Sequence, residues 1–336
     1  MGIKGKLRTK IAASAFLAKW ATFALGWFDR EVTAVMAGVS AHKDGSSSSD
    51  GRRARLVRNT HRIEKGLIHR VRRSVFGMDY LPTLITDFEI LSANVGGCNL
   101  PEASLVWSRD VLAEYFSGAG SDPKIDSFRV RYERATATWG PPEDKRPYLR
   151  NLEAPAPVSY NNFLALCQRR RSVRWFLDKP VSRDLLDKAL MAARQSPSAC
   201  NRQPFFFWVA DDRALAAKLG SIPGGTAGFA HNFPCVIALV GDLSAYSGAH
   251  DRHVIYIDGS LAAMSFSLAL ETLGLSSCII NWPDHSELED AIRAQLPLKI
   301  WQRVVFLIAV GYPDPAGKVP FSEKKSIEIL RRYNLE

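Results

Sequence analysis

Arg169, Arg170, Arg171 and Arg174 put four guanidinium groups within six positions, with the hydroxyl of Ser172 among them. An arginine fork meets two phosphate oxygens at once, and a neighbouring hydroxyl adds a further donor, so this spacing points to an anion clamp. About twenty-five residues on lies a second polar cluster, Ser196-Pro-Ser-Ala-Cys-Asn-Arg-Gln-Pro204. Its side-chain amides and hydroxyls can donate to and accept from the edge of a flat heteroaromatic ring. Taken alone, the arginines fit equally a solvated face or a nucleic-acid patch, and Asn201 and Gln203 could cap a helix. Joined at this distance, the two clusters could hold a phosphorylated heterocycle.

The elements between them must do the positioning. Leu185, Leu186, Ala189, Leu190 and Ala193 recur at helical spacing, with Ser182 placed as N-cap. Phe205 to Val209 reads as a buried strand. Further strands are expected near 235–240, 277–282 and 304–310, with a short helix over 288–296. Tyr256 to Gly274 is an almost wholly apolar helix with a C-cap glycine, which must be buried on all sides. A dimer interface would bury it, with the small residues Gly259, Ala262, Ala263 and Ser267 letting a partner approach. Asp258 reads as a helix-dipole partner. The glycine-rich stretch 222–232 has neither the strand-GxGxxG-helix context nor the lysine of a P-loop, so it reads as a place of close backbone approach.

The pattern RRSVR-F…PV…L…AA…SPSA-N-QP-F-F-V resembles the nitroreductase family of FMN-dependent oxidoreductases, over about residues 160–325. The resemblance implies an α+β fold, a nitroreductase-like α/β/α sandwich around a mixed central sheet. It implies FMN as cofactor and NAD(P)H as co-substrate. It assigns the FMN phosphate to Arg170, Arg171, Ser172 and Arg174, with Lys318 near the C-terminus. Ala316 stands where the family often has another basic residue, a role Lys324 or Lys325 could take. Pro197, Ser198, Ala199, Asn201 and Gln203 match the loop that contacts ring and ribityl chain, largely from the partner subunit. Ile280, Asn281 and Trp282 match the strand end that lies against the flavin, although Trp282 by itself reads equally as core. No catalytic side chain is implied, because the isoalloxazine carries the redox step.

At 336 residues the chain has room for two domains, and an apolar fraction of 46% needs no covalent staples. Five cysteines without C-x-x-C spacing point to neither a disulfide framework nor a zinc site, and to a reducing cytoplasm. His231, His250, His253 and His285 show no metal-ligand spacing. Sixteen Lys/Arg against six Asp/Glu in residues 1–80 account for the whole net charge of +10, since the remaining 28 of each cancel. That localisation argues against a nucleic-acid-binding protein.

The first half carries no chemistry-bearing motif. Residues 1–40 read as an amphipathic helical segment, with Phe16, Trp20, Phe23 and Trp27 on one face behind a basic start. That face would pack on protein or lie on an anionic membrane through residues 1–30; a cleaved signal is a third reading. Residues 41–53 form a polar linker, 54–138 a smaller helical module, 139–158 a proline-rich linker and 159–336 the FMN-binding domain. The string HRIEKGL, 61–67, resembles a segment of nitroreductase-like proteins associated with surface-polysaccharide biosynthesis.

The expected protein is a homodimer with FMN at its interface, passing electrons from NAD(P)H to a nitroaromatic, a quinone or a polysaccharide-pathway intermediate by a ping-pong mechanism. Dehalogenation or flavin cleavage on the same fold is an alternative chemistry. The alternative of another class is a flavin-binding, catalytically weak, membrane-peripheral interaction protein in polysaccharide biosynthesis.

Overall fold

A computed structural model describes residues 14–26, 28–43, 49–93 and 102–334. The second half builds one sheet from β1 (Phe205–Ala210), β2 (Cys235–Asp242), β3 (Ser276–Asn281) and β4 (Gln302–Gly311), in the order β1-β2-β4-β3. All three strand pairs are antiparallel; the parallel component of the expected mixed sheet is a single bridge, Ser172 to Ser277, at the β3 edge. β2 and β4 are central and almost wholly buried. β1 is not the fully buried strand its apolar run implies: it is an edge strand, half-buried over Phe205–Val209.

Helices cover the sheet and occupy the first half. They are α1 (Ala15–Leu25), α2 (Asp29–Lys43), α3 (Ser49–Leu67), α4 (Leu81–Ala93), α5 (Glu102–Gly118), α6 (Pro123–Thr136) and α7 (Tyr160–Arg169). Next come α8 (Arg183–Ala193), α9 (Arg213–Ser221), α10 (Val254–Thr272), α11 (Ser286–Arg293) and α12 (Ile327–Leu330). Ser182 takes the N-cap place of α8 but makes no side-chain cap; the turn closes on its carbonyl, which accepts from Leu185 and Leu186.

α10 is long and apolar enough to cross a membrane, yet half of that stretch is buried in the protein. Its small residues are buried within this chain: Gly259, Ala262, Ala263 and Ser267 all lie inside, and a Cβ on Gly259 would come within 3.3 Å of Leu239 on the sheet. The side left open carries Ile257, Leu261 and Met264, exposed at 51%, 44% and 43%. So α10 is not enclosed by its own chain.

The helical module has its own core, with Leu56 and Ile63 of α3, Phe88 of α4, and Leu112 and Tyr115 of α5 all buried. The HRIEKGL segment is a set of module contacts. Arg62 stacks on Tyr80 at 3.5 Å, and the Glu64 carboxylate accepts from the Trp107 indole at 2.9 Å. Gly66 gives way to the ring of Phe76, which a Cβ there would meet at 2.1 Å.

The polar linker expected over 41–53 is helical at both ends. α2 continues through Lys43 because Ala41 and His42 are buried, the His42 ring nitrogen Nδ1 bonding the Ser244 carbonyl at 2.8 Å. α3 begins at Ser49, and a Cβ on Gly51 would meet the Ala41 carbonyl at 2.6 Å, so the two helices abut. α2 also packs on the second half, Ala34 and Val35 joining Leu243, Ala245, Tyr246 and Ile255 in one cluster. On α1 only Ala21 is buried, while Phe16, Trp20 and Phe23 are exposed; Trp27 lies outside the described residues.

Candidate functional site

α7 runs into the arginine segment, whose conformation is fixed on both sides by backbone pairing. The Val173 amide donates to the Ser277 carbonyl at 3.1 Å, and the Leu177 amide to the Tyr312 carbonyl at 2.9 Å. Asn232 clips the segment in place: its amide nitrogen donates to the Arg174 carbonyl at 3.0 Å, and its oxygen accepts from the Phe176 amide at 2.9 Å. Nothing in the sequence marked Asn232 beyond its place at the end of the glycine-rich stretch.

Arg170, Arg171 and Arg174 have no ion-pair partner among the described residues. Arg171 reaches the Arg170 carbonyl at 3.0 Å, and Arg174 the Ser172 carbonyl at 3.4 Å and the face of Phe229 at 5.7 Å. Arg169 turns away to Glu271, at 3.5 Å. Burial pushes the Glu271 carboxyl up, against the Ser276 hydroxyl and the charges of Arg169 and Arg170. Burial likewise raises the Cys278 thiol, against Arg174, Ser172 and Arg170, so the cationic cluster lies along β3.

Beside it opens a cavity of about 290 Å³, lined by Arg174, Phe229, Ile280 and Asn281 and by Gly224 and Gly225 of the glycine-rich stretch. A Cβ on either glycine would meet nothing within 4 Å, so no crowding within this chain requires them. Lys318 does not line the cavity, but the segment before it is tied to the arginine segment. The Asp314 amide donates to the Trp175 carbonyl at 3.0 Å, and Gly317 lies against the Trp175 Cβ. Trp282 does not line the cavity. It is buried in the core, its indole donating to Glu289 at 3.0 Å, because an indole taken into the interior needs an acceptor and α11 supplies one.

The second cluster is elsewhere. Pro197, Ser198, Ala199, Asn201 and Gln203 sit at the other end of α10, where the Ala199 amide donates to Asp258 at 3.0 Å. Asp258, near the start of the helix, is thus also an anchor for the loop. Cys200, Asn201 and Gln203 all have left-handed backbone, at φ of 53°, 54° and 49°. Such conformations cost roughly 1 kcal/mol each in residues with a Cβ, so tertiary contacts must hold them. Ser198 accepts from the Gln203 amide at 3.1 Å. Arg202, only 6% exposed at its side chain, reaches Asp251 at 3.9 Å and the face of Tyr246 at 5.0 Å. α3 packs over 199–201. The larger cleft of about 930 Å³ opens here, between α3, α8 and β1, and Gln203 lines it.

From Asp258 to Glu271 the helix advances thirteen residues, or about 20 Å at 1.5 Å per residue. The structure thus brings Arg174, Ile280 and Asn281 together with the cationic cluster, and leaves the amide loop some 20 Å away in the same chain. A phosphorylated ring fits the nearer half, whose guanidiniums are uncommitted and whose glycine wall is open.

A model described as the nitroreductase family matches residues 167–224 and 221–312. A protein of Archaeoglobus fulgidus, named provisionally as an NADH dehydrogenase/NAD(P)H nitroreductase, is 30% identical over 172 residues, covering 51% of this chain and 92% of that one. An iodotyrosine deiodinase of Thermotoga neapolitana is 26% identical over 195 residues, 50% of this chain and 96% of that one. Among solved structures, an FMN-dependent nitroreductase of Clostridium difficile aligns with a TM-score of 0.45 at 26% identity, covering 51% of this chain and 99% of that one.

Proposed function

The chain belongs to the nitroreductase family of oxidoreductases, and from that premise we propose that it works as a homodimer with two FMN sites, each built from both protomers. The observation that carries this reading is the separation of the two half-sites along α10 together with the open stripe between them. Ile257, Leu261, Met264 and Leu268 recur at i, i+4, i+7 and i+11 on the side of α10 turned from its own sheet. A two-fold axis through this stripe pairs two copies of α10 antiparallel. Each copy's Asp258 end, with the amide loop, then faces the other's Glu271 end, with the arginines. α7 supports the same arrangement: none of its residues is buried, and Tyr160, Phe163 and Leu164 are exposed.

In this assembly Arg170, Arg171, Ser172, Arg174 and Lys318 hold the FMN phosphate. Ile280 and Asn281 lie along one ring edge, and the partner's loop residues Ser198, Asn201 and Gln203 meet the ring and its side chain. FMN when bound supplies the redox chemistry, accepting hydride from NAD(P)H and returning electrons to a nitroaromatic or quinone in ping-pong order. The chain's own task is to grip, orient and exclude water, which needs fixed donors and no titrating side chain. The 290 Å³ cavity accommodates only part of such a ligand, in keeping with a second protomer closing it.

The exposed aromatic face of α1 favours a second feature, attachment of this enzyme to an anionic membrane surface from the cytoplasmic side. Phe16, Trp20 and Phe23 project from a helix that follows Lys4, Lys6, Arg8 and Lys10 in the sequence.

The decisive experiment is anaerobic addition of NADH or NADPH to the purified protein, with the flavin identified by mass. Loss of flavin absorption on addition supports the reductase. The double variant Arg170→Ala, Arg174→Ala should fold and dimerise yet carry no flavin; stoichiometric FMN in it would refute the phosphate assignment.

A further inference from the structure

A second cationic centre lies in the helical half, apart from the arginines of the flavin reading. Arg52, Arg55, Arg58 and Arg62 follow one another at intervals of three, three and four on α3, which places them on one face. That face opens into a cavity of about 650 Å³ between α3, the last turn of α2 and the start of α4. With Lys43, five cationic side chains line it against two carboxylates, Asp79 and Asp87, a surplus of three positive charges.

The partners are shared unevenly. Asp87, fully buried, takes Arg52 at 3.0 Å and both Nε and Nη2 of Arg55 at 3.0 Å. Arg62 reaches Asp79 at 3.0 Å, but that carboxylate is 73% exposed, and exposed pairs hold weakly. Arg58 has no hydrogen bond or ion pair among the described residues, and its Nε is buried without a partner. Burial foremost, and then the charges of Arg202 and Arg62, weaken its hold on its proton, with Asp251 opposing them only in part. A guanidinium half-buried among like charges with an unmet donor is costly unless something negative sits against it. The buried amide of Asn59 and the ring of Tyr80 line the same cavity. Its walls are three helices, and its mouth is open to solvent.

We propose that this cavity is a binding site for a phosphate or diphosphate group carried by a small molecule, with Arg58 as the principal fork and Arg62 at the rim. A group of charge −2 to −3 offsets the surplus, and the Asp79 pair opens to release Arg62 towards it. The site is independent of the FMN reading, since it shares no residue with it.

The test is calorimetric titration of the full chain with sodium pyrophosphate at constant ionic strength. One saturable site per chain is expected in the Arg170→Ala, Arg174→Ala variant as in the parent. Arg58→Gln should weaken it at least about tenfold, and Arg58→Lys less, because the charge stays while the fork is lost. If Arg58→Gln fails to fold, Arg62→Gln at the rim should still weaken binding severalfold. Since α1 gives parent and variant alike a background of vesicle binding, markedly weaker pelleting of Arg58→Gln than of the parent on phosphatidic acid vesicles would assign the phosphate to a lipid headgroup. Pyrophosphate binding lost in Arg58→Gln with equal pelleting of both assigns it to a soluble ligand. No saturable heat, equal affinity in folded Arg58→Gln and Arg62→Gln, or loss only in the Arg170/Arg174 variant would each overturn the proposal.

Discussion

Two defective variants should rescue each other if the flavin site spans two chains. One variant, Arg170→Ala with Arg174→Ala, removes the cationic half. The other, Asn201→Gly with Gln203→Gly, removes the loop side chains while suiting the left-handed backbone at both positions. Each homodimer then has two broken sites. A phosphate held by charge-assisted bonds of about 1.5–3 kcal/mol each loses roughly 3–6 kcal/mol with two arginines, a factor of about 10² to 10⁴ in affinity. A heterodimer joins one protomer's intact arginines to the other's intact loop, giving one whole site and one doubly broken site. Random pairing of equal amounts makes half the dimers mixed, so about one quarter of all sites regain flavin. The assay is flavin absorbance per chain after co-refolding, with mixed dimers isolated by two different tags; these should carry one flavin per dimer. The distance along α10 sets the alternative: with both clusters in one site of one chain, mixing could restore nothing. No recovery in verified heterodimers would refute the shared site, and Leu261→Arg, which charges the centre of the stripe, should abolish recovery and dimer together.

Gly66→Ala should destabilise the helical half by about 1–2 kcal/mol, as overpacking against Phe76 exceeds the gain of about 1 kcal/mol in helix propensity; an unchanged urea midpoint would contradict this. Asp258→Ala should lower FMN affinity at least about tenfold by freeing the Ala199 amide and the strained turn, whereas Asp258→Asn keeps an acceptor and should lose less, read by flavin fluorescence titration. His42 is buried beside Arg55, Arg202 and Arg58, and burial foremost lowers its pKa, only partly opposed by its bond to Ser244. The unfolded chain therefore takes up the proton first, so stability holds above about pH 6.5 and falls as pH drops below it. Thermal midpoints between pH 7 and 5 should show this fall, and His42→Gln should flatten it.

The arginine motif, the amide loop and the four strands were legible because each is a local pattern: charge density, turn chemistry and apolar runs are properties of neighbours in sequence. Trp282 was legible as a strand end but not as core or wall, since that depended on Glu289 of α11. The anchoring roles of Asp258, Asn232 and Arg202 are not legible in the sequence, because each acts on a residue more than forty positions away. The linker at 41–53 looked polar and loose; the fit of Gly51 against Ala41 and the seating of His42 on Ser244 make its ends helical.

What the sequence determined by itself was that this protein has a cationic cluster and an amide-bearing loop, and that one helix separates them along the chain. What only the tertiary structure decided was where they stand: at the two ends of α10, some 20 Å apart, with an apolar stripe between. Sequence separation fixes how far apart two groups can be, but the direction in which a helix carries them is set by the surface it packs on.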